Sequence, residues 1–159
     1  MKKALVFAAV AAGMTTLSTG VQAQDCTTKI GAALPTSVDW GRPIAEVAQF
    51  AVDQVNEASG AGGCTIEMVL RDTQVDPKVG VDAAKALVDL EGVKVLLGAV
   101  SSGVSMPILT SVTVPAGVMQ MSCCSSSTAF TRLSEDGKTN GLWFRTFATT
   151  GVQSAMGAK

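Results

Sequence analysis

The chain has 159 residues, with 12 basic and 13 acidic side chains and a net charge of −1. It contains no histidine, so the commonest general base and the commonest zinc ligand of proteins are both missing. No basic stretch stands out beyond the first residues, which argues against a nucleic-acid partner.

The N-terminus has the pattern of a targeting segment. Lys2 and Lys3 precede an apolar run from Ala4 to Met14, which is shorter than the ~20 residues that a membrane-spanning helix needs. Val21-Gln22-Ala23 then supplies residues that a signal peptidase reads. We therefore predict a cleaved signal peptide over residues 1–23, export of the protein, and a mature part over residues 24–159 that is long enough for one domain.

Two cysteines precede two predicted strands. Cys26 lies just before a strand over Thr28–Leu34, and Cys64 lies just before a strand over Thr65–Leu70. If these strands are parallel neighbours about 4.8 Å apart, both cysteines flank the same end of the sheet, within the Cα separation of roughly 4.4–6.8 Å that a disulfide requires. Because export permits disulfides, we predict a Cys26–Cys64 bridge, with two free thiols as the alternative.

Strand and helix signals alternate along the rest of the chain. Apolar residues recur with helical spacing from Ile44 to Val55, Asp76-Pro77 has the pattern of a helix start, and Ser101 precedes a predicted helix over Ser102–Val112. Further strands are predicted over 93–97, 118–121 and 142–147, a polar loop over 133–141, and a last helix from about residue 152. This alternation predicts an α/β fold, a doubly wound parallel sheet with helices on both faces.

Polar segments follow three of the predicted strands. They are the loop Leu34–Trp40, the turn Ser101–Gly103 and the run Cys123–Thr128. In a doubly wound sheet, ligands bind beyond the carboxyl ends of the strands, and a helix N-terminus presents unpaired N–H groups that attract carboxylates. These segments therefore predict a site for a small anionic solute, with simple helix capping and solvated turns as the alternatives.

The adjacent pair Cys123-Cys124 has three interpretations. The simplest is two free thiols at the end of a strand. A vicinal disulfide would close a strained ring with eight members. Soft-metal binding would recruit Met119 and Met121, but the chain has no histidine and no CxxC pair, so we expect no metal site.

Motifs of catalysis do not occur around the serines. Neither Ser101 nor Ser102 lies in a G-x-S-x-G sequence, and a serine without a base partner is a poor nucleophile. The glycine-rich segment 60–63 follows a helix rather than a strand, so it does not match a dinucleotide-binding loop. We predict a binding protein that is not an enzyme and has no cofactor.

Five segments form an ordered set: Ile30–Pro35, Ala51–Gly60, Arg71–Pro77, Gly98–Gly103 and Phe144–Thr146. This set resembles the type I periplasmic solute-binding proteins, and most closely the leucine/isoleucine/valine-binding branch of ABC importers. Together they span residues 29 to about 159. The resemblance implies two lobes, joined by a hinge, that close on an amino acid.

The resemblance also implies roles for the first polar turn. In the family, a serine hydroxyl and helix N–H groups of the first lobe hold the ligand carboxylate. By position this role falls on Ser102, with Ser101 and Gly103 beside it.

The second polar segment and the first loop take the remaining roles. In the family, the second segment directs a carbonyl at the ligand ammonium group and a hydroxyl at the polar end of the ligand. These positions correspond to Cys124 and Ser126, with Ser125 between them. The aromatic wall of the family's pocket corresponds to Trp40.

The resemblance further implies what the protein works with. We expect an exported component that delivers branched-chain or related amino acids to an inner-membrane ABC permease; alternatives are an amide- or urea-type solute, or the ligand-sensing domain of a receptor. Family members are roughly twice as long or more, so this chain is expected to be the first lobe, without the second lobe and with weak binding by itself. Cys123-Cys124-Ser125 replaces the proline and small residues common in the family, which leaves the substrate open.

Overall fold

A computed structural model describes residues 26–158; the predicted signal peptide over residues 1–23 lies outside them. The described chain forms one parallel sheet of five strands in the order β2-β1-β3-β4-β5. The strands are β1 (Thr27–Leu34), β2 (Thr65–Asp72), β3 (Val95–Gly98), β4 (Met119–Ser122) and β5 (Trp143–Arg145).

Helices connect the strands and cover the sheet. They are α1 (Arg42–Glu57), α2 (Pro77–Asp89), α3 (Ser102–Ile108), α4 (Ala129–Glu135) and α5 (Thr150–Gly157). A π-helical turn, Leu109–Thr113, continues α3, close to the irregularity expected from Pro107. The predicted α/β fold with a doubly wound parallel sheet is confirmed.

The sheet buries a different apolar cluster on each face, because side chains of one strand point alternately to opposite sides. Ala33 and Leu96 pack with α2 and α3 on one face. Ala32 and Leu34 pack with Ala45 of α1 on the other face. Helices on both faces leave the carboxyl ends of the strands as the open edge of the fold.

One short helix was not predicted. The segment Leu133–Gly141 was expected to be a loop, but its first residues complete α4. Phe130 anchors this helix: it is fully buried and its ring stacks on that of Trp143 with 4.1 Å between the centroids. This tertiary contact stabilises a helix too short to show a clear period in the sequence.

The predicted disulfide is confirmed. Thr27 of β1 lies opposite Thr65 of β2 in the parallel register, so the cysteines before the two strands meet at the amino edge of the sheet. Cys26 and Cys64 are bonded, with their Cα atoms 4.8 Å apart. The helix start at Asp76 is confirmed as well, since its carboxylate accepts hydrogen bonds from the first backbone amides of α2.

Gly98 shapes the carboxyl end of β3. Its φ angle is +131°, which side chains rarely permit, and a Cβ there would meet the carbonyl group of Ala33. Glycine therefore lets β3 end close against β1. Within residues 26–158, no helix is both long enough and apolar enough to cross a membrane.

Candidate functional site

The two serine segments lie side by side at the carboxyl edge of the sheet. β3 and β4 are hydrogen-bonded neighbours, with Leu97 opposite Met121, so the loops that follow them emerge together. The backbone N–H of Ser127 donates a hydrogen bond to the Ser102 hydroxyl over 3.2 Å. This bond joins the turn before α3 to the loop after β4.

The beginning of α3 is not capped by a serine side chain. Ser101 is the N-cap residue with an extended backbone, but its hydroxyl makes no capping hydrogen bond. The Ser101 carbonyl accepts the N–H groups of Val104 and Ser105 at 3.1 and 2.9 Å, so the first intrahelical bonds start after Gly103. Ser101 is half-buried, and the first backbone amides of the helix have no intrahelical partner.

Ser125 lies inside the protein, and this changes the role expected for it. It was predicted to line the ligand site, yet its side chain is 0% exposed. Its hydroxyl is 2.8 Å from that of Ser105 and 2.9 Å from that of Ser122. The Ser125 side chain therefore holds the loop in place from below, and its neighbours Cys124 and Ser126, both half-buried, remain closer to the surface.

A buried polar network surrounds Ser125. The Ser105 hydroxyl donates to the Ala99 carbonyl at 2.8 Å, and the Ser122 hydroxyl donates to the same carbonyl. The Gln120 side-chain amide donates to the Gly98 carbonyl at 2.9 Å. Because each hydroxyl and amide finds a partner, the loops after β3 and β4 are tied to each other without an unsatisfied group among these residues.

Sequence reasoning did not identify this network. Its signal is a set of polar residues at otherwise apolar positions: Gln120 lies between two methionines of β4, and Ser105 lies on the buried side of α3. From the sequence alone, such polar residues cannot be distinguished from ordinary strand and helix residues, because their hydrogen-bond partners are distant in sequence.

Arg145, also missed as a functional residue, fixes the carbonyl groups of the second segment. Its guanidinium donates to the carbonyls of Ser127 at 2.8 Å and Ser125 at 3.4 Å, and to the hydroxyl of Thr131 at 2.6 Å. The carbonyl between these two, that of Ser126, accepts the backbone N–H of Thr150 at 2.9 Å. Most of the segment's acceptors are thus used within the protein.

The Cys124 carbonyl is the exception. The Cys123 carbonyl accepts the Thr146 hydroxyl at 3.4 Å, and the carbonyls of residues 125–127 are bonded as described. Among residues 26–158, no hydrogen bond ends on the Cys124 carbonyl. Of the carbonyls of residues 123–127, that of Cys124 alone accepts no hydrogen bond from the described chain.

Trp40 lies in the loop that follows β1, at the same edge of the sheet, with 53% of its surface exposed. The loop is tied to the end of β2, because the Asp72 carboxylate accepts the backbone N–H of Ser37 at 3.4 Å. Burial by itself would raise the pKa of Asp72, but hydrogen bonds from Gln74 and Ser37 outweigh it and lower that pKa. The indole ring therefore stands on an anchored loop with an open apolar face.

An apolar cleft of about 670 Å³ runs between α1 and the ends of β1, β3 and β4. Of the predicted site residues only Cys124 lines it; Trp40, Ser102 and Ser126 lie outside its wall. Its lining residues are Leu34, Pro43, Ile44, Val47, Ala48, Ala51, Leu97, Gly98, Cys123, Cys124 and Thr146.

The thiols of Cys123 and Cys124 are in direct contact on the cleft wall. Both cysteines are free and half-buried, and their Sγ atoms are 2.7 Å apart. Burial, and next the hydrogen bond to Cys124, raise the pKa of Cys123 to about 12. Within residues 26–158 no group of three or more cysteine and acidic side chains could hold a metal ion.

The sequence of residues 27–159 matches the family model described as periplasmic binding protein. The chain belongs to the periplasmic binding protein family. This confirms the resemblance inferred from the sequence, and it places the chain among binding proteins rather than enzymes.

Individual family members agree with this placement. The Leu/Ile/Val-binding protein homolog 1 of Brucella abortus is 30% identical over 118 residues, which are 74% of this chain and 29% of that protein. The leucine-binding protein LivK of Thermotoga maritima superposes with a TM-score of 0.69 at 25% identity, over 82% of this chain and 35% of that one. A substrate-binding protein of a Desulfitobacterium hafniense ABC transporter, solved with Leu, gives 0.63 at 25% identity, over 79% and 35%. The chain thus spans about a third of the length of these relatives.

Proposed function

We propose that residues 24–159 are the first lobe of an exported solute-binding protein that captures branched-chain or related amino acids for an ABC permease. The observation that carries the proposal is the pairing of two complementary groups at one edge of the sheet. The start of α3 offers donors to a carboxylate, and the Cys124 carbonyl offers an acceptor to an ammonium group.

Ser102 is suited to a carboxylate because its hydroxyl retains its proton for a ligand. A hydroxyl has one donor and two acceptor positions, and the N–H of Ser127 occupies one acceptor position. The Ser102 proton, the Ser101 hydroxyl and the amides at the start of α3 then converge on one anion. The helix continues through the π-helical turn to Thr113, which extends the aligned backbone dipoles behind these amides.

The ammonium group of an amino acid needs acceptors instead. The Cys124 carbonyl supplies one, and the hydroxyl of Ser126 follows in the same segment. Trp40 would place an apolar face against the ligand side chain. The buried side chain of Ser125 does not contact the ligand, but it holds the segment Cys124–Ser126 in place relative to Ser102.

The relatives support the amino-acid assignment, since their names record leucine, isoleucine and valine binding. Family members carry about two thirds of their length outside the part that this chain matches. We infer that a second lobe supplies the remaining contacts, so that the first lobe by itself binds weakly. Periplasmic location and delivery to an inner-membrane permease complete the proposal.

Calorimetry with three related ligands tests it. A two-lobe protein containing this chain should bind leucine, and should lose most of that affinity for 3-methylbutylamine, which lacks the carboxylate, and for 4-methylpentanoate, which lacks the ammonium group. Residues 24–159 alone should bind leucine weakly or undetectably. Equal binding of leucine and 4-methylpentanoate would remove the Cys124 carbonyl from the site, and preference for urea or acetamide would replace the amino acid as the ligand.

A further inference from the structure

We propose that Cys123 and Cys124 are a redox modification site, a dithiol that closes reversibly into a vicinal disulfide on the wall of the apolar cleft. The two Sγ atoms are 2.7 Å apart before any bond exists. The two sulfurs are thus in direct contact, so a disulfide between them needs no approach of distant parts of the chain.

The position of the pair favours closure within the chain. Both side chains are half-buried and line the cleft beside Pro43, Ile44 and Val47 of α1. A small disulfide reagent enters such a cleft, whereas the concave wall hinders a bond to a second protein molecule. The other two cysteines are already bonded at the amino edge of the sheet, at the opposite ends of the strands, so they do not compete.

The reaction balances as two successive thiol–disulfide exchanges with an oxidant of the general form RSSR, such as glutathione disulfide. The Cys124 thiolate attacks one sulfur of RSSR, forming a mixed disulfide and releasing RS⁻. The Cys123 thiolate then attacks the Cys124 sulfur, forming the intramolecular bond and releasing the second RS⁻. The two protons lost by the cysteines are taken up by the released thiolates, and RSSR is reduced to two RSH.

The order of the two attacks follows from the surroundings of Cys123. Its raised pKa keeps it protonated, so it is the poorer first nucleophile. Besides burial, the pKa of Cys123 is raised by the hydrogen bond to Cys124 and by the charge of the Cys124 thiolate. Burial remains, but both of these contributions disappear once the Cys124 sulfur is held in a mixed disulfide, so the pKa of Cys123 falls and Cys123 can act as the resolving thiol.

Closure would also affect ligand capture, and this consequence rests on the proposed function. The ring includes the peptide group between the two cysteines, so forming it reorients the neighbouring Cys124 carbonyl. Because the ring is strained, it should be reduced more easily than the Cys26–Cys64 bond.

The closure is tested on the full chain, without any ligand. The protein is incubated with glutathione disulfide, the remaining thiols are labelled with a maleimide, and the masses of the tryptic peptides are measured by mass spectrometry. Lys94 and Arg132 bracket a peptide that contains no cysteine except this pair. Oxidised protein should yield that peptide unlabelled and lighter by two hydrogen atoms, and mild reduction should restore two labelled thiols while Cys26–Cys64 stays bonded.

Two variants distinguish closure from slow oxidation of a single thiol. Cys123→Ser should stop at a lasting glutathione adduct on Cys124, while Cys124→Ser should form such an adduct on Cys123 more slowly, because burial still raises the pKa of Cys123. Two free thiols after prolonged oxidation, a stable adduct on the wild-type peptide, or disulfide-linked dimers would each overturn the proposal. A separate titration of oxidised and reduced two-lobe protein with leucine measures the effect on affinity; absence of leucine binding in both forms would count against the proposed function and leave the peptide result unaffected.

Discussion

The hydroxyl of Ser102 accepts a hydrogen bond from the backbone amide of Ser127 over 3.2 Å, across 25 residues of sequence. This bond connects the two loops that emerge from the neighbouring strands β3 and β4. It sets the distance between the start of α3, where a carboxylate would bind, and the loop that carries the Cys124 carbonyl. The proposed site therefore lies on two loops that this bond joins above a buried polar network.

Replacing Ser102 by alanine should weaken leucine binding by a two-lobe protein by about 1–3 kcal/mol, because a hydrogen bond to a charged group is lost. Isothermal titration calorimetry measures the change. Ser111→Ala, an exposed position in the π-helical turn that continues α3, is the matched control and should leave affinity unchanged. Equal affinity of the Ser102 variant and the wild type would exclude this hydroxyl from the site.

Alanine substitutions at Ser125 and Ser126 should have different effects, one mainly on stability and the other mainly on leucine binding. Ser125→Ala removes a buried hydroxyl and leaves its partners Ser105 and Ser122 short of a hydrogen bond, so the free energy of unfolding in urea should fall by about 1–3 kcal/mol. Ser126→Ala, at a half-buried position, should change stability little and leucine affinity more. If Ser126→Ala proved the more destabilising of the two, the buried network would not be what holds the loop.

Removing the disulfide should destabilise the chain. Cys26 and Cys64 are separated by 38 positions, and constraining a loop of that length contributes about 4 kcal/mol in the chain-entropy model. The variant with serine at both positions should therefore unfold at a lower urea concentration. Cys123 and Cys124 enclose no long loop, so the variant with serine at both of these positions should shift the urea midpoint of unfolding much less. Equal shifts for the two double variants would contradict this expectation.

Glu91 should make stability depend on pH on the acid side. Its carboxylate pairs with Lys29 at 2.9 Å and Arg71 at 3.4 Å, and the hydrogen bond from Lys29 in particular lowers the pKa of Glu91 below its ordinary value of 4.5. A carboxyl with a lowered folded-state pKa stabilises the fold above pH 4.5, and this contribution is lost as the pH falls through the folded-state value.

Urea titrations at a series of pH values check this expectation. Glu91→Gln should reduce the loss of stability below pH 4.5, whereas Glu135→Gln at the end of α4 should follow the wild type. Identical pH profiles for wild type and Glu91→Gln would show that the ion pairs contribute nothing measurable, as for many pairs on protein surfaces.

Local patterns were sufficient where a structural feature depends on neighbours in sequence or on the simple pairing of two strands. The helix start at Asp76 needs only a carboxylate followed by proline, and it formed as predicted. The Cys26–Cys64 bridge was predictable because each cysteine immediately precedes its strand, and a parallel pairing brings such positions together. Helix α4 was missed because its stability depends on the stacking of Phe130 on Trp143, a contact between separate elements.

The site shows the same division. The order of strands and serine turns along the sequence determined that the polar segments would emerge at the carboxyl edge of a parallel sheet, since strand alternation and helix periodicity are local properties of the chain. Only the tertiary structure decided which serine side chain is buried: Ser125 turns into the core, where its hydroxyl lies within hydrogen-bond distance of the hydroxyls of Ser105 and Ser122. It likewise decided that Arg145 would occupy the carbonyls on either side of Ser126 and leave that of Cys124 open, because a hydrogen bond between distant residues exists only after packing has brought its donor and acceptor together.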